Sequence, residues 1–302
     1  MQFMFQYPEV NGSEQDLLDS GPIGEVAISA ERAGWQGIAF TEHPAPGSRW
    51  LHQGGHQTLD PLVALGGVAT VTTRLRLLTY LAVLPYRNPL LLAKAAATVD
   101  LLSGGRLILG VGTGYLKGEF SALGVDIDER NALFDEALDV LPLHWSGEPF
   151  DFEGKHFSAR KIQARPRPIQ QPIPIWIGGN ARITRQRVAE RAQGWMPLFG
   201  PDEMFATTRT PAPGSQSEIG AKVEQIKRDA SAAGRNIPLD FAMPYMDPSI
   251  RDPTVEIERH REALAQLEAS GCTWAIVHRD AGSPAEILEF LEAFAATYIR
   301  SR

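Results

Sequence analysis

The residues with the clearest chemical potential come in three short stretches. In "FTEHP", Glu42 and His43 follow an apolar run; an imidazole there can move a proton near neutral pH, and the adjacent carboxylate can orient it or touch a ligand. In "RLILGVGTGY", Gly112, Thr113 and Gly114 close another apolar run. Glycine at such a place lets backbone approach a flat ring or a phosphate, and it equally serves a tight turn. In "IWIGGNARITRQR", Gly178 and Gly179 precede Asn180, which is placed to cap a helix, and Arg182 lies beside its first turn. Free N–H groups at a helix start with a guanidinium nearby fit a phosphate. Arg187 and Arg191, one turn apart, read as a solvated basic face. Thr79 interrupts the apolar "LLTYLAVLP" and either bonds to backbone or faces a ring.

Other chemistries lose support. From Gly110 or Gly112 the spacing G-x-G-x-x-G fails, because the sixth positions are Tyr115 and Lys117. No G-x-S-x-G or H-E-x-x-H is present. His52 and His56 are four apart, but "HQGGH" is a poor helix, so no metal is expected. The single cysteine, Cys272, excludes an intrachain disulfide and reads as a buried thiol in a reducing compartment. A net charge of -7 gives no field for nucleic acid or an anionic membrane. "MQFMFQYPEVNGSEQD" has no basic start and long apolar stretch, so a cytoplasmic protein is expected.

Positioning such residues requires regular elements. Short apolar runs recur: "FMFQ", "GIAF", "LRLLTYLAVL", "RLILGV", "IPIWIGG", "WMPL", "LDFAMPY" and "WAIVH". Nearly continuous and flanked by Gly or Pro, they read as parallel strands buried on both faces. Helical stretches alternate with them. The clearest runs from Asn88, a cap, through Pro89 to Gly104, with Leu91, Ala95, Val99 and Leu102 expected on the buried face. Eight such units over residues 1–302 predict a single α/β domain, a (β/α)8 TIM barrel, with an open doubly wound sheet as the alternative. In a barrel, His43 and Gly112 to Gly114 lie at the C-terminal mouth. Residues 146–171 are expected to be an insertion over one end of the barrel, with a hairpin about Glu153, Gly154 and Lys155. Residues 201–217, polar and proline-broken, are expected to form a lid loop.

Together, "FTEH", "RLRLLTYLAVLPYRNPLLLAKAAATVDLLSGGRLILGVGTGYLKGEFSALG" and "PIPIWIGGN" resemble the bacterial luciferase-like flavin monooxygenase superfamily. The "YLKGEFSALGVDIDERNALFDEAL" segment resembles the branch that uses coenzyme F420, a deazaflavin. The resemblance implies ring contacts from Glu42, His43, Thr79, Tyr80, Leu81, Thr113 and Gly114, phosphate contacts from Gly178 and Gly179, and a non-proline cis peptide at Tyr80–Leu81. Asn180 and Arg182 complete the expected anion site. His43 is the expected proton donor or acceptor, with Trp50, Tyr80 and Tyr115 on the substrate side. Tyr80 stands where many members have a small residue, Tyr115 where the sugar-phosphate dehydrogenases have an acid, and the turn lacks the luciferase cysteine. The implied activity is hydride transfer between F420 and a small organic substrate. An FMN-dependent monooxygenase fed by a partner reductase is the alternative, and a non-catalytic cofactor-binding barrel a third. A homodimer is compatible with either activity.

Overall fold

The computed structural model describes residues 1–10, 16–200, 202–208 and 210–301. The eight expected runs become strands β1 (Gln2–Gln6), β2 (Gly37–Phe40), β3 (Arg76–Thr79), β4 (Leu107–Gly112), β5 (Ile175–Gly178), β6 (Gly194–Met196), β7 (Asp240–Tyr245) and β8 (Trp274–Val277). Each pairs in parallel with its neighbours, β8 pairs with β1, and Leu77 and Leu78 of β3 register with Leu107 and Ile108 of β4. The ring is therefore closed, and the open-sheet alternative is excluded. Periodicity could not choose between the two because both bury every strand on both faces.

Inside the barrel Met4, Ala39, Leu78, Ile108, Trp176, Met196, Ala242, Trp274 and Ile276 form a core of their own, roofed at the mouth by the half-buried Tyr80 and Leu81. A larger apolar shell lies between strands and helices. The Pro89–Ser103 helix is capped as expected: the Asn88 side chain accepts from the Leu90 N–H, and Gly104 ends it at φ 70°. Its buried face differs from expectation. Leu91 and Leu102 are 72% and 53% exposed, while Leu92, Ala93, Ala96, Ala97, Val99, Asp100 and Ser103 are buried. Apolar residues occur on both sides of this helix, and the small ones allow close packing, which outweighs the size of a leucine.

The N-terminal end of the barrel is tied by buried polar groups. The Arg106 guanidinium donates to the carbonyls of Ala69, Thr72, Leu75 and Ser103 and to the Thr72 hydroxyl, so it joins the ends of the Pro61–Val71 and Pro89–Ser103 helices. Glu31, on the Ile23–Ala33 helix, accepts from the N–H groups of Thr73, Arg74 and Leu75 ahead of β3.

The insertion contains the expected hairpin, Phe150–Glu153 paired antiparallel with Ser158–Ile162. The hairpin itself packs on the helix before it. Glu136 of the Arg130–Ser146 helix accepts from the N–H groups of Lys155, His156 and Phe157 and so holds the turn on that helix. The proline-rich return of the same insertion reaches the N-terminal end of the barrel, where Gln170 donates to the Asp100 carboxylate and the Leu107 carbonyl.

The lid expectation meets regular structure. Residues 202–208 form a helix, and the Gln216–Ala232 helix begins at a Ser215–Glu218 capping box. Pro201 and Arg209 lie outside the described residues.

Candidate active site

The mouth is built from the segments that follow β2, β3 and β4. His43 follows β2, and its backbone is fixed by Thr58, whose Oγ1 accepts from the His43 N–H at 2.8 Å. The imidazole Nδ1 lies 3.3 Å from Glu119 Oε2 on the Lys117–Ala122 helix, and Nε2 lies 3.5 Å from the Tyr115 hydroxyl. Glu119 is 1% exposed, accepts from the Tyr86 hydroxyl at 3.0 Å, and accepts from the Ala45 N–H at 3.3 Å. A carboxylate so held fixes the ring orientation and places the His43 proton on Nδ1. The Trp50 ring lies 4.5 Å from His43, centroid to centroid, His56 5.0 Å and Tyr115 5.9 Å. His43, Trp50 and Tyr115 thus converge at the mouth.

Glu119 was not legible in the sequence. It stands in "YLKGEF" beside the exposed Lys117 and Gly118, with no spacing that marks it, and only the fold turns it inward. His56 was set aside with the metal reading and joins the cluster as a ring neighbour. Among the described residues no three His, Cys, Asp or Glu side chains are grouped to hold an ion.

Glu42 does not orient His43. It is buried, accepts from the Val83 N–H at 2.7 Å and pairs with Arg87, which also donates to Asp60 at 2.7 Å. Burial pushes its carboxyl above the usual range against the opposing pull of Arg87. Its work is to hold the chain after β3. Thr79 is likewise a structural group: its hydroxyl donates to the Gly110 carbonyl at 2.7 Å, which leaves the backbone reading of the two. Burial raises the phenols of Tyr80 and Tyr115 above their ordinary value, so both remain neutral donors.

The glycines of β4 mainly make room for the chain beside them. The Tyr80–Leu81 peptide is cis, as the resemblance implies. A Cβ on Gly110 would lie 2.0 Å from the Thr79 carbonyl oxygen; on Gly112 it would lie 2.4 Å from Leu81 Cδ1. One on Gly178 would lie 2.2 Å from Leu81 Cδ2. The Leu81 side chain therefore fills the space at Gly178 that had been expected for a phosphate. Gly114 has φ 74° and abuts Val83 and Phe120, with the half-buried Thr113 before it.

The second cluster stands after β5. Gly179 has φ 117°, and a Cβ there would meet nothing nearer than Thr184 Oγ1 at 3.4 Å. Asn180 does not cap the following helix. Its side chain donates to the carbonyls of Leu198 and Pro211 and accepts from the Leu198 N–H, pinning two loops. The N-cap of the Arg182–Arg191 helix is Ala181, which makes no side-chain cap, so the first-turn N–H groups stay available. Arg182 is exposed and the Arg185 guanidinium donates to the Asn180 carbonyl. Burial, then the neighbouring Arg182, lowers the Arg185 guanidinium from its ordinary value. That donor set suits a phosphoryl group. Arg187 departs from its solvated reading: it is 4% exposed, forks onto Asp135 at 2.7 and 2.8 Å, and lies over Phe134.

Residues 1–268 match the family model described as luciferase-like monooxygenase. The chain belongs to that family. It is 31% identical over 214 residues to an F420-dependent glucose-6-phosphate dehydrogenase of Kineococcus radiotolerans, covering 69% of this chain and 62% of that protein. The chain spans 62% of the length of the curated relatives it first matches. By fold it is similar to a monooxygenase from Streptomyces bottropensis, with a TM-score of 0.77, 22% identity and coverage of 100% and 99% of the two chains. It is similarly close to an F420-dependent secondary alcohol dehydrogenase solved with an F420-acetone adduct, at a TM-score of 0.76, 16% identity and the same coverage. The solved structures share the barrel with this chain.

Proposed function

We propose that the protein transfers a hydride between coenzyme F420 and a small organic substrate bearing a carbonyl, hydroxyl or activated double bond. The observation that carries this reading is the buried Glu119 carboxylate behind His43, because hydride transfer to or from such a substrate needs a positioned proton partner. The Kineococcus relative's name adds support for the cofactor.

A bound deazaflavin supplies a hydride-carrying ring carbon that reacts poorly with oxygen. The chain supplies the rest. The uncapped start of the Arg182 helix and the open approach at Gly179 fit the phosphoryl group of F420. FMN carries a phosphoryl group too, so this fit does not separate them. Trp50, Tyr80 and Tyr115 wall the substrate side, and His43 Nε2, with the Tyr115 hydroxyl beside it, exchanges a proton with the substrate. The reading carries a small-molecule substrate, a cytoplasmic setting and a homodimer as further expectations.

The test is a tryptophan-quenching titration with F420 and, in parallel, with FMN. Tight binding of F420 alone is expected. Preference for FMN with oxygen consumption coupled to product would replace this reading by a two-component monooxygenase with a partner reductase. Cofactor binding without turnover across varied acceptors would favour a non-catalytic barrel.

A further inference from the structure

We propose that His56, oriented by Glu9, is a second acid–base residue of the mouth, serving beside His43 as an alternative acceptor and donor of the one proton that accompanies hydride transfer at a carbonyl or hydroxyl carbon. This inference rests on the hydride-transfer reading above.

His56 Nδ1 lies 3.4 Å from Glu9 Oε1 and 3.4 Å from the Gln57 carbonyl. Both neighbours only accept, so the neutral ring carries its proton on Nδ1 and presents a lone pair at Nε2. Glu9 is itself held, because its Oε1 accepts from Gln6 Nε2 at 2.8 Å at the end of β1. His43 has the same tautomer, but the Tyr115 hydroxyl stands 3.5 Å from its Nε2 and can donate to it. Among the described residues, His56 Nε2 has no hydrogen-bond partner. Of the two imidazoles, His56 is therefore the one with an uncommitted acceptor. It belongs to the same mouth, with its ring 5.0 Å from His43 and 5.5 Å from Trp50.

The charged and titratable groups that face His56 are Glu9, His43 and His278. Burial disfavours its imidazolium and Glu9 favours it, with burial the larger, so the ring is a base at neutral pH. When His56 serves in the oxidising direction, the substrate O–H bond breaks and its proton passes to His56 Nε2 instead of to His43. The carbon's hydride, with its electron pair, leaves to the oxidised deazaflavin and the C=O bond forms. The imidazolium produced faces the Glu9 carboxylate. Reduction runs the same transfers backwards, with the reduced deazaflavin as hydride donor.

Two measurements test this. In the chain labelled with nitrogen-15 histidine, long-range proton–nitrogen NMR across the neutral pH range, assigned with His56→Gln, should give an unprotonated Nε2 in neutral His56. Glu9→Gln should lower the proton affinity of His56 about tenfold, a shift that a purely structural Glu9 would not cause. A neutral ring protonated on Nε2, or an unmoved titration, would overturn the inference. The second measurement is acylation by diethyl pyrocarbonate, mapped by mass spectrometry with and without saturating oxidised F420, with binding followed separately by tryptophan quenching. Shielding of His56 by about tenfold is expected. Binding without shielding overturns the role of His56 alone, whereas failure of F420 to bind overturns the cofactor reading on which it rests.

Discussion

At the scale of single residues, the site turns on which carboxylate stands behind the histidine. The sequence placed Glu42 next to His43, but adjacency along a strand end sends successive side chains in different directions, and Glu42 faces Arg87 instead. Glu119 reaches the ring from 76 positions away. Replacing Glu119 by Gln keeps the shape and removes the charge, and it should slow hydride transfer about tenfold; His43→Ala should cost about 100-fold. Both are read by single-turnover oxidation of reduced F420 with a panel of aldehydes and ketones, and equal rates in variant and wild type would remove these residues from the mechanism. Gly110→Ala is a different kind of change. Its Cβ would press on a backbone oxygen that cannot swing aside, so a loss of about 2–3 kcal/mol is expected, measured by urea unfolding.

At the scale of elements, strands and the hairpin were legible because continuous apolar runs and a Gly-centred turn have few other readings. The buried face of the Pro89–Ser103 helix was not, since leucines and alanines surround it. Nor was the short helix in the presumed lid, where prolines flank rather than break it. The buried knots between elements were also invisible, as arginine carries no sign of its partners. Arg106→Ala should leave four carbonyls without a donor and destabilise the fold by about 3 kcal/mol or more, seen as a lower Tm.

Glu31 offers a pH-dependent counterpart at the same end of the barrel. Burial pushes its carboxyl up, but hydrogen bonds from Arg74, Leu75 and Thr73 outweigh this and hold it below the ordinary carboxylate range. A depressed carboxyl contributes stability above its unfolded pKa and loses it as pH falls through the folded value. Glu31→Gln should therefore lower stability at neutral pH, and the difference from wild type should vanish in acid. A difference that persists unchanged in acid would show the carboxylate charge to be irrelevant.

At the scale of the whole molecule, closure between β3 and β4 is what brings the segments after β2, β3 and β4 to one mouth. If F420 is the ligand as proposed, its binding at that mouth should stabilise the entire chain, because a ligand that binds only the native state draws the unfolding equilibrium toward it. At a concentration about 100 times its Kd the gain is about 2.7 kcal/mol, and a rise in Tm of about 5 °C is expected by calorimetry. The wedge of Leu81 between Gly112 and Gly178 carries a further consequence for how this barrel can vary. Positions 81, 112 and 178 form one sterically shared volume, so a methyl group at 112 or 178 requires the Leu81 side chain to turn aside or become smaller. Substitutions at these three positions are therefore expected to be coupled: a side chain at 112 or 178 costs less once Leu81 has been made smaller.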